Sequence, residues 1–423
     1  MTGSMRVRLS GMMFLEYFIW GAWYVTFGTW LSQSLHFDAS QVAIAAGATA
    51  VGAMIAPFFV GLIADRYFAT QRLLAVLHGA GALVLYAASR QTGFGTLYPI
   101  ILVYCLCYMP TMALTNAVAF RQMQDPKVEF GFIRVSGTFG WIVASLLIGK
   151  LALEATARPI QLAALASAIM AVYCLTLPNT PPLLQAQTGT RRSVFQSIFP
   201  REVVQLVSSR SMAVFAIASL LICIPLQFYY TFTNLFLNQS KVVDAAGKMS
   251  GGQISELLCM LLIPWFFRRL GVKYMLIAGM IAWVLRYILF AYGTASGHVV
   301  DGRMWMLWGG ILLHGICYDF FFVTGQIYID REAPLAIRAA AQGFITFLTY
   351  GVGMFVGSWL SSGVGGYFSR TAADGSVAYQ WRSIWLFSAA ASAIVLVLFA
   401  LTFREDPHSE ERIAEQRSLR QTA

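Results

Sequence analysis

LHGICYDFFFVTGQIYID, residues 313–330, is the stretch on which the fold turns. It is almost wholly apolar or aromatic, yet it carries His314 and Asp319, and it ends on Asp330, which Arg331 and Glu332 follow. With the apolar residues before it, the run reaches the roughly 20 residues that a helix needs to cross a bilayer. The rest of the chain repeats the pattern. Of 423 residues, 58% are hydrophobic and 11% charged, with a mean hydropathy of +0.66. A soluble domain is nearer a quarter charged. Backbone polar groups find no partners in lipid, so crossings must be helices or closed barrels, and these runs are far longer than alternating barrel strands. The sequence therefore predicts an all-α polytopic membrane protein.

Twelve spans are expected, at 11–33, 40–64, 72–90, 97–120, 131–153, 158–178, 211–237, 247–267, 273–293, 303–329, 335–362 and 379–403. The polar connection 179–210, with Pro181, Pro182, Arg191, Arg192 and Arg201, separates six from six. This gives an N-terminal bundle over 1–178, a cytoplasmic linker, a C-terminal bundle over 211–403 and a cytoplasmic tail over 404–423. Residues 107–120, CYMPTMALTNAVAF, align with 317–330, CYDFFFVTGQIYID, so that Cys107 meets Cys317 and Tyr108 meets Tyr318. Span four thus corresponds to span ten, as in transporters built from two related halves with the substrate site between them.

Charge sets the orientation. With both termini inside, 19 of the 29 Lys and Arg residues fall in cytoplasmic segments and 8 in outer loops. That bias predicts cytoplasmic termini. It also assigns the net charge of +10 to anionic lipid headgroups and not to nucleic acid. The basic start MTGSMRVRLS, with no cleavage signature after it, reads as the lead into a retained first helix. All six cysteines lie in apolar spans without metal spacing. No metal or cofactor is expected. No nucleophile–base constellation or Gly-rich nucleotide loop points to an enzyme.

Ionisable groups deep in spans are few: Glu16, His78, Arg134, Glu256, Arg286, His314 and Asp319. A charge at the bilayer centre costs about 2.5–3.5 kcal/mol on insertion scales, so such groups persist where they face a cavity and find partners. Helical spacing sorts polar residues into stripes. Span one carries Glu16, Trp20, Trp23 and Tyr24. Span five carries Arg134, Thr138 and Trp141. Span seven carries Gln227, Tyr230 and Asn234, span eight Gln253 and Glu256, and span ten His314 and Tyr318 with Asp319 alongside. These stripes come from both halves and are the expected lining of one shared cavity. Arg286, in WVLRYILF, is read as a structural partner or a side chain reaching to an interface, and His78 as packing near a cytoplasmic end.

Arg134 is always charged and needs a carboxylate, for which Glu256 and Asp319 are the candidates. A carboxylate that pairs with Arg134 in one conformation and is desolvated in another is the minimum for proton coupling. Asp319 with Arg134 is the expected coupling pair, with Glu256, Glu16 and His314 as further carriers. Flat rings with Gln227, Asn234 and Gln253 suit a planar heterocycle; rings with carboxylates suit a sugar equally.

The loop GLIADRYFATQR, with Gly61, Asp65, Arg66 and Arg72, resembles the signature loop of the major facilitator superfamily, where acidic and basic groups latch the cytoplasmic helix ends. Its counterpart FFRRLGVKY lacks the Asp. Over nearly the whole chain the sequence is similar to the bacterial nucleoside:proton symporters of that superfamily. The resemblance rests on FLEYFIWGAWYVTFGTWL, YMPTMALTNAVAF, IRVSGTFGW, QISELLCMLLIPWFF, YDFF and IRAAAQGF. It implies twelve helices, a central cavity and proton-driven nucleoside uptake in the bacterial inner membrane by a monomer. It carries site roles to Arg134, Thr138, Trp141, Gln227, Gln253, Glu256 and Asp319. The family has an amide where Tyr230 stands, a tyrosine at His314, a phenylalanine at Tyr318 and a neutral amide at Glu16. The rival readings are a sugar:proton symporter and a ligand sensor that moves nothing. The linker and tail are too short to be a signalling domain.

Overall fold

The computed structural model describes residues 2–59, 68–123, 126–181, 201–295, 298–299, 303–334, 337–372 and 376–405. Two short hairpins, Thr294–Ala295 with His298–Val299 and Ser369–Thr371 with Val377–Tyr379, interrupt a chain that is otherwise helical. Nine helical stretches among the described residues are long and apolar enough to cross a membrane. Leu83, Val172, Trp359 and Leu401 are each more than 60% exposed on helix flanks, a surface that lipid covers and water would not.

One of the nine, Ala245–Tyr292, takes in both expected spans eight and nine. Its 48 residues do not form one rod. Gly271 sits at φ 68° and ψ −178°, outside the helical region, and folds the helix back on itself. Only glycine adopts that conformation without strain. Spans one and six are not among the nine. Span one is broken into Gly3–Trp23 and Phe27–Gln33, and span six is the 17-residue helix Arg158–Cys174. Span two is divided at Gly47 into Ala39–Ala46 and Ala48–Phe59. Its start is fixed by a capping box, in which Asp38 and Gln41 each accept the other's backbone N–H.

Spans ten and eleven are not uniform α-helices. Span ten runs through Met304–Leu312 and His314–Tyr318, then a π-helical turn over Asp319–Val323, then Thr324–Glu332. Span eleven has its own π-helical segment at Phe347–Gly353. Such wide turns spoil the regular register and recur at functional sites.

Packing divides the helices into two groups. Span one lies against spans five and six, and span three against four and six. In the other half, the folded-back Ala245–Tyr292 helix lies against spans ten and twelve, and span seven against eleven and twelve. Contacts between the groups come from spans one, two and five on one side and from seven, eight and eleven on the other.

Candidate functional site

At mid-depth between the groups, the expected stripes meet. Trp20 sets its ring 5.5 Å from Trp141, nearly edge-on, and Tyr24 lies 5.5 Å from Tyr230 across the interface. A small pocket is lined by Val25, Trp141 and Ser145 from the first half and by Tyr229, Tyr230, Met249 and Gln253 from the second. Thr138 is half-buried one helical turn from Arg134.

Arg134 lies with its guanidinium 4.1 Å from the centre of the Tyr17 ring, a cation–π arrangement. Its charge reaches Glu256, Tyr318 and Tyr350 across the interface. The expected pair with Asp319 is not formed. Asp319 is fully buried at the start of the π-helical turn, and neither carboxylate oxygen has a hydrogen-bond partner. The reason is packing: the turn is wedged against the folded-back helix of its own bundle, where a Cβ on Gly279 would come within 3.0 Å of the Phe321 nitrogen. Of the two candidate carboxylates, Glu256 is the one whose charge acts on Arg134, without a direct ion pair in this conformation.

Glu256 faces His314. The Nε2 atom of His314 is 3.9 Å from Glu256 Oε2. Two glycines make this approach possible. A Cβ on Gly315 would meet Ser255 O at 2.5 Å and the Glu256 nitrogen at 2.7 Å, and one on Gly252 would meet His314 Cβ at 3.1 Å. Small residues at facing positions let membrane helices come this close. The Gly315 N–H donates to Ser255 Oγ at 3.0 Å and ties the same two helices. Tyr318 and Tyr350 are hydrogen-bonded through their hydroxyls, joining the two irregular spans.

Four residues are placed differently from the sequence reading or in only one of the ways it allowed. Asn234 shares a helix stripe with Gln227 and Tyr230 but belongs to a clasp between the bundles, two helical turns from Gln227. Its Oδ1 accepts from Thr29 Oγ1 at 2.6 Å, and its Nδ2 donates to Glu154 Oε2 at 3.2 Å. Glu16 is fully buried inside the first bundle, where Oε2 lies 3.0 Å from His78 Nε2 and Oε1 accepts from Thr111 Oγ1 at 2.6 Å. His78 is therefore no mere packing residue. Its other ring nitrogen is 3.2 Å from Ser167 Oγ. Arg286 does not reach an interface: it is fully buried beside His314.

Gln227 is fully buried. Its Nε2 donates to Thr231 Oγ1 at 3.1 Å, and its Oε1 is without a partner. In the loop motif, Gly61, Asp65 and Arg66 lie outside the described residues, as does most of the linker, and Arg72 is exposed at the start of Thr70–Ala88.

Sequence reasoning missed Glu154 altogether. Its carboxylate accepts from Asn234 and Asn238 and, at 2.7 Å, from the Ala246 N–H at the start of the folded-back helix. The available signal was the one acidic residue in the short connection LALEATARP.

Comparison with known proteins agrees with this geometry. The Nucleoside H+ symporter family profile matches residues 3–408. The putative nucleoside transporter YegT of Escherichia coli is 38% identical over 410 residues, covering 94% of this chain and 93% of that protein. The xanthosine permease of the same organism is 33% identical, covering 97% and 98%. The crystal structure of the nucleoside transporter NupG superposes with a TM-score of 0.84 at 28% identity, covering 95% of this chain and all of that one. Peptide transporters at 14% identity share the fold alone. With polar stripes of two helical bundles facing one interface and a match along nearly its full length, this multi-pass membrane protein belongs to the nucleoside:proton symporter family.

Proposed function

We propose that the protein takes up nucleosides with protons by rocking its two bundles about the mid-depth site, as a monomer in a bacterial inner membrane with both termini cytoplasmic. The observation that carries this reading is the junction of Arg134 and Trp141 from one bundle with Gln253, Glu256 and His314 from the other. Neither bundle holds the site alone, so a ligand bound there senses their relative position.

Gln253, Glu256, Thr138 and Gln227 supply hydrogen bonds to the substrate, while Trp20, Trp141, Tyr230 and Tyr318 supply ring faces. Arg134 and Glu256 form the charge pair that spans the bundles, which revises the expected pairing. Asp319 receives the transported proton. An ionised carboxylate without a partner in an apolar enclosure is costly, and a proton removes that cost. Glu16 braces the first bundle with His78 and Thr111. The outer clasp of Thr29, Asn234, Asn238 and Glu154 closes the site to the outside in this state. The motif Gly61, Asp65, Arg66 and Arg72 latches the cytoplasmic side in the opposite state.

Competition binding on purified protein tests the substrate class. Uridine or adenosine should displace a bound nucleoside, while free ribose and disaccharides should not. Displacement by sugars alone would make the protein a sugar symporter.

A further inference from the structure

Arg286 has no role in the site as described so far, yet it is the most completely enclosed cation in the described structure. Its relative exposure is 0%. Its guanidinium carbon lies 3.5 Å from the centre of the Tyr229 ring, and its Nη1 is 3.1 Å from His314 Nδ1. No carboxylate lies within 4.0 Å of it among the described residues.

A guanidinium has five N–H donors and no acceptor. The contact with His314 Nδ1 is therefore a hydrogen bond only if Nδ1 carries no proton. A neutral imidazole must then hold its proton on Nε2, the nitrogen that faces Glu256 Oε2. An imidazolium would lose the bond altogether and set two buried cations side by side. Among the described residues the one hydrogen-bonding partner of Nδ1 is the Arg286 guanidinium, a donor. From span eight the ionisable group that faces it is Glu256, from span nine Arg286, and from span seven Tyr229, stacked at 5.5 Å. From its own span Tyr318 lies alongside at 5.8 Å, while Cys317 and Asp319 follow in the chain.

We propose that Arg286 is a positioning residue that fixes His314 as the neutral Nε2–H tautomer, making His314 a fixed hydrogen-bond donor beside Glu256 and not a carrier of the transported proton. The inference rests on the reading of Glu256 as a substrate-binding group. It reaches further, because it assigns a protonation state and a partner to His314: an imidazole pinned by an arginine offers one donor in one direction. A ligand atom placed between His314 and Glu256 must accept from the first and donate to the second, which is the behaviour of a hydroxyl group.

The decisive experiment is 15N NMR of the full-length protein labelled at histidine, with the His314 signals identified by their disappearance in His314→Gln. In the wild type they should show the neutral Nε2–H pattern and hold it from about pH 5 to 8, the range in which a free imidazole titrates. An Nδ1–H pattern, or titration of His314 within that range, overturns the proposal. The spectrum requires no transport and no knowledge of the substrate, so its outcome is separate from that of the nucleoside reading. In proteoliposomes Arg286→Gln should add to the pH profile of KM an ionisation that wild type lacks and that Arg286→Gln/His314→Gln loses. His314→Gln keeps a donor near Nε2 but cannot take a proton, and it should still accumulate substrate against a gradient. His314→Phe should raise KM about three- to tenfold through the lost donor. Loss of gradient-driven accumulation in His314→Gln, with exchange retained, would make His314 the proton carrier and sink the idea.

Discussion

Asp319 is fully buried and Arg134 half-buried, and in this conformation the two ionisable groups do different things. Arg134 rests on Tyr17 without a direct carboxylate partner among the described residues, with Glu256 as the carboxylate whose charge acts on it, while Asp319 has no hydrogen-bond partner for either oxygen. A proton on Asp319 makes that enclosure tolerable, and its release has to accompany a change of surroundings. Asp319→Asn mimics the protonated state permanently. It should still exchange labelled for unlabelled substrate across a membrane but lose accumulation driven by a pH gradient. Counterflow assays measure the first property and imposed-gradient uptake the second; accumulation as strong as wild type would take Asp319 out of the coupling step. The sequence made these residues visible because an ionisable group in an apolar run is expensive and needs a reason. It could not show which carboxylate faces Arg134, since that depends on helices more than a hundred residues apart. Asn234 illustrates the other limit. It shares a face with Gln227, but seven residues along a helix amount to about 10 Å, enough to carry it from the site to the outer clasp.

Among the elements, span ten is the most informative. Its apolar run was readable in the chain, but its π-helical turn at Asp319–Val323 was not. No residue type in YDFFFV announces a wide turn; it arises where the helix packs on its neighbours. The same holds for the close approach at Gly315, which only the facing backbone of Ser255 and Glu256 makes necessary. Gly315→Ala inserts a methyl group where there is no room, and overpacking of this kind costs about 1–3 kcal/mol. The purified variant should unfold at lower temperature and bind substrate more weakly, because the strain falls on the segment that sets the His314–Glu256 spacing. Unchanged affinity would mean that this spacing does not matter for binding. The folded-back helix shows a boundary that was legible. The glycine in FFRRLGVKY separates two expected spans, and Gly271 takes up the positive φ that lets the chain reverse there.

At the scale of the whole molecule, the two groups of helices and the basic bias of one membrane face were written in composition and spacing. The state of the transporter was not, because a sequence specifies every conformation of the cycle at once. Here one end of the two groups is joined by Glu154, which accepts from Asn234, Asn238 and the Ala246 N–H; on the proposed orientation this is the outer end. Ser40 and Ser362 add a second link, 2.7 Å between hydroxyls. Glu154→Ala leaves three donors without their charged acceptor. At about 1.5–3 kcal/mol for a hydrogen bond to a charged group, outward-open molecules should become roughly ten- to a hundredfold more populated. Spin labels at the exposed positions Arg90 and Val243 would report the change as a wider distance distribution. An unaltered distribution would show that the clasp does not hold the closed state. The rocking motion itself is tested most directly by what it transports. In proteoliposomes containing the purified protein, an inward proton gradient should drive accumulation of labelled uridine or adenosine above the outside concentration, and collapse of the gradient with a protonophore should abolish it. Nucleoside uptake that only equilibrates, with or without the gradient, would contradict the account.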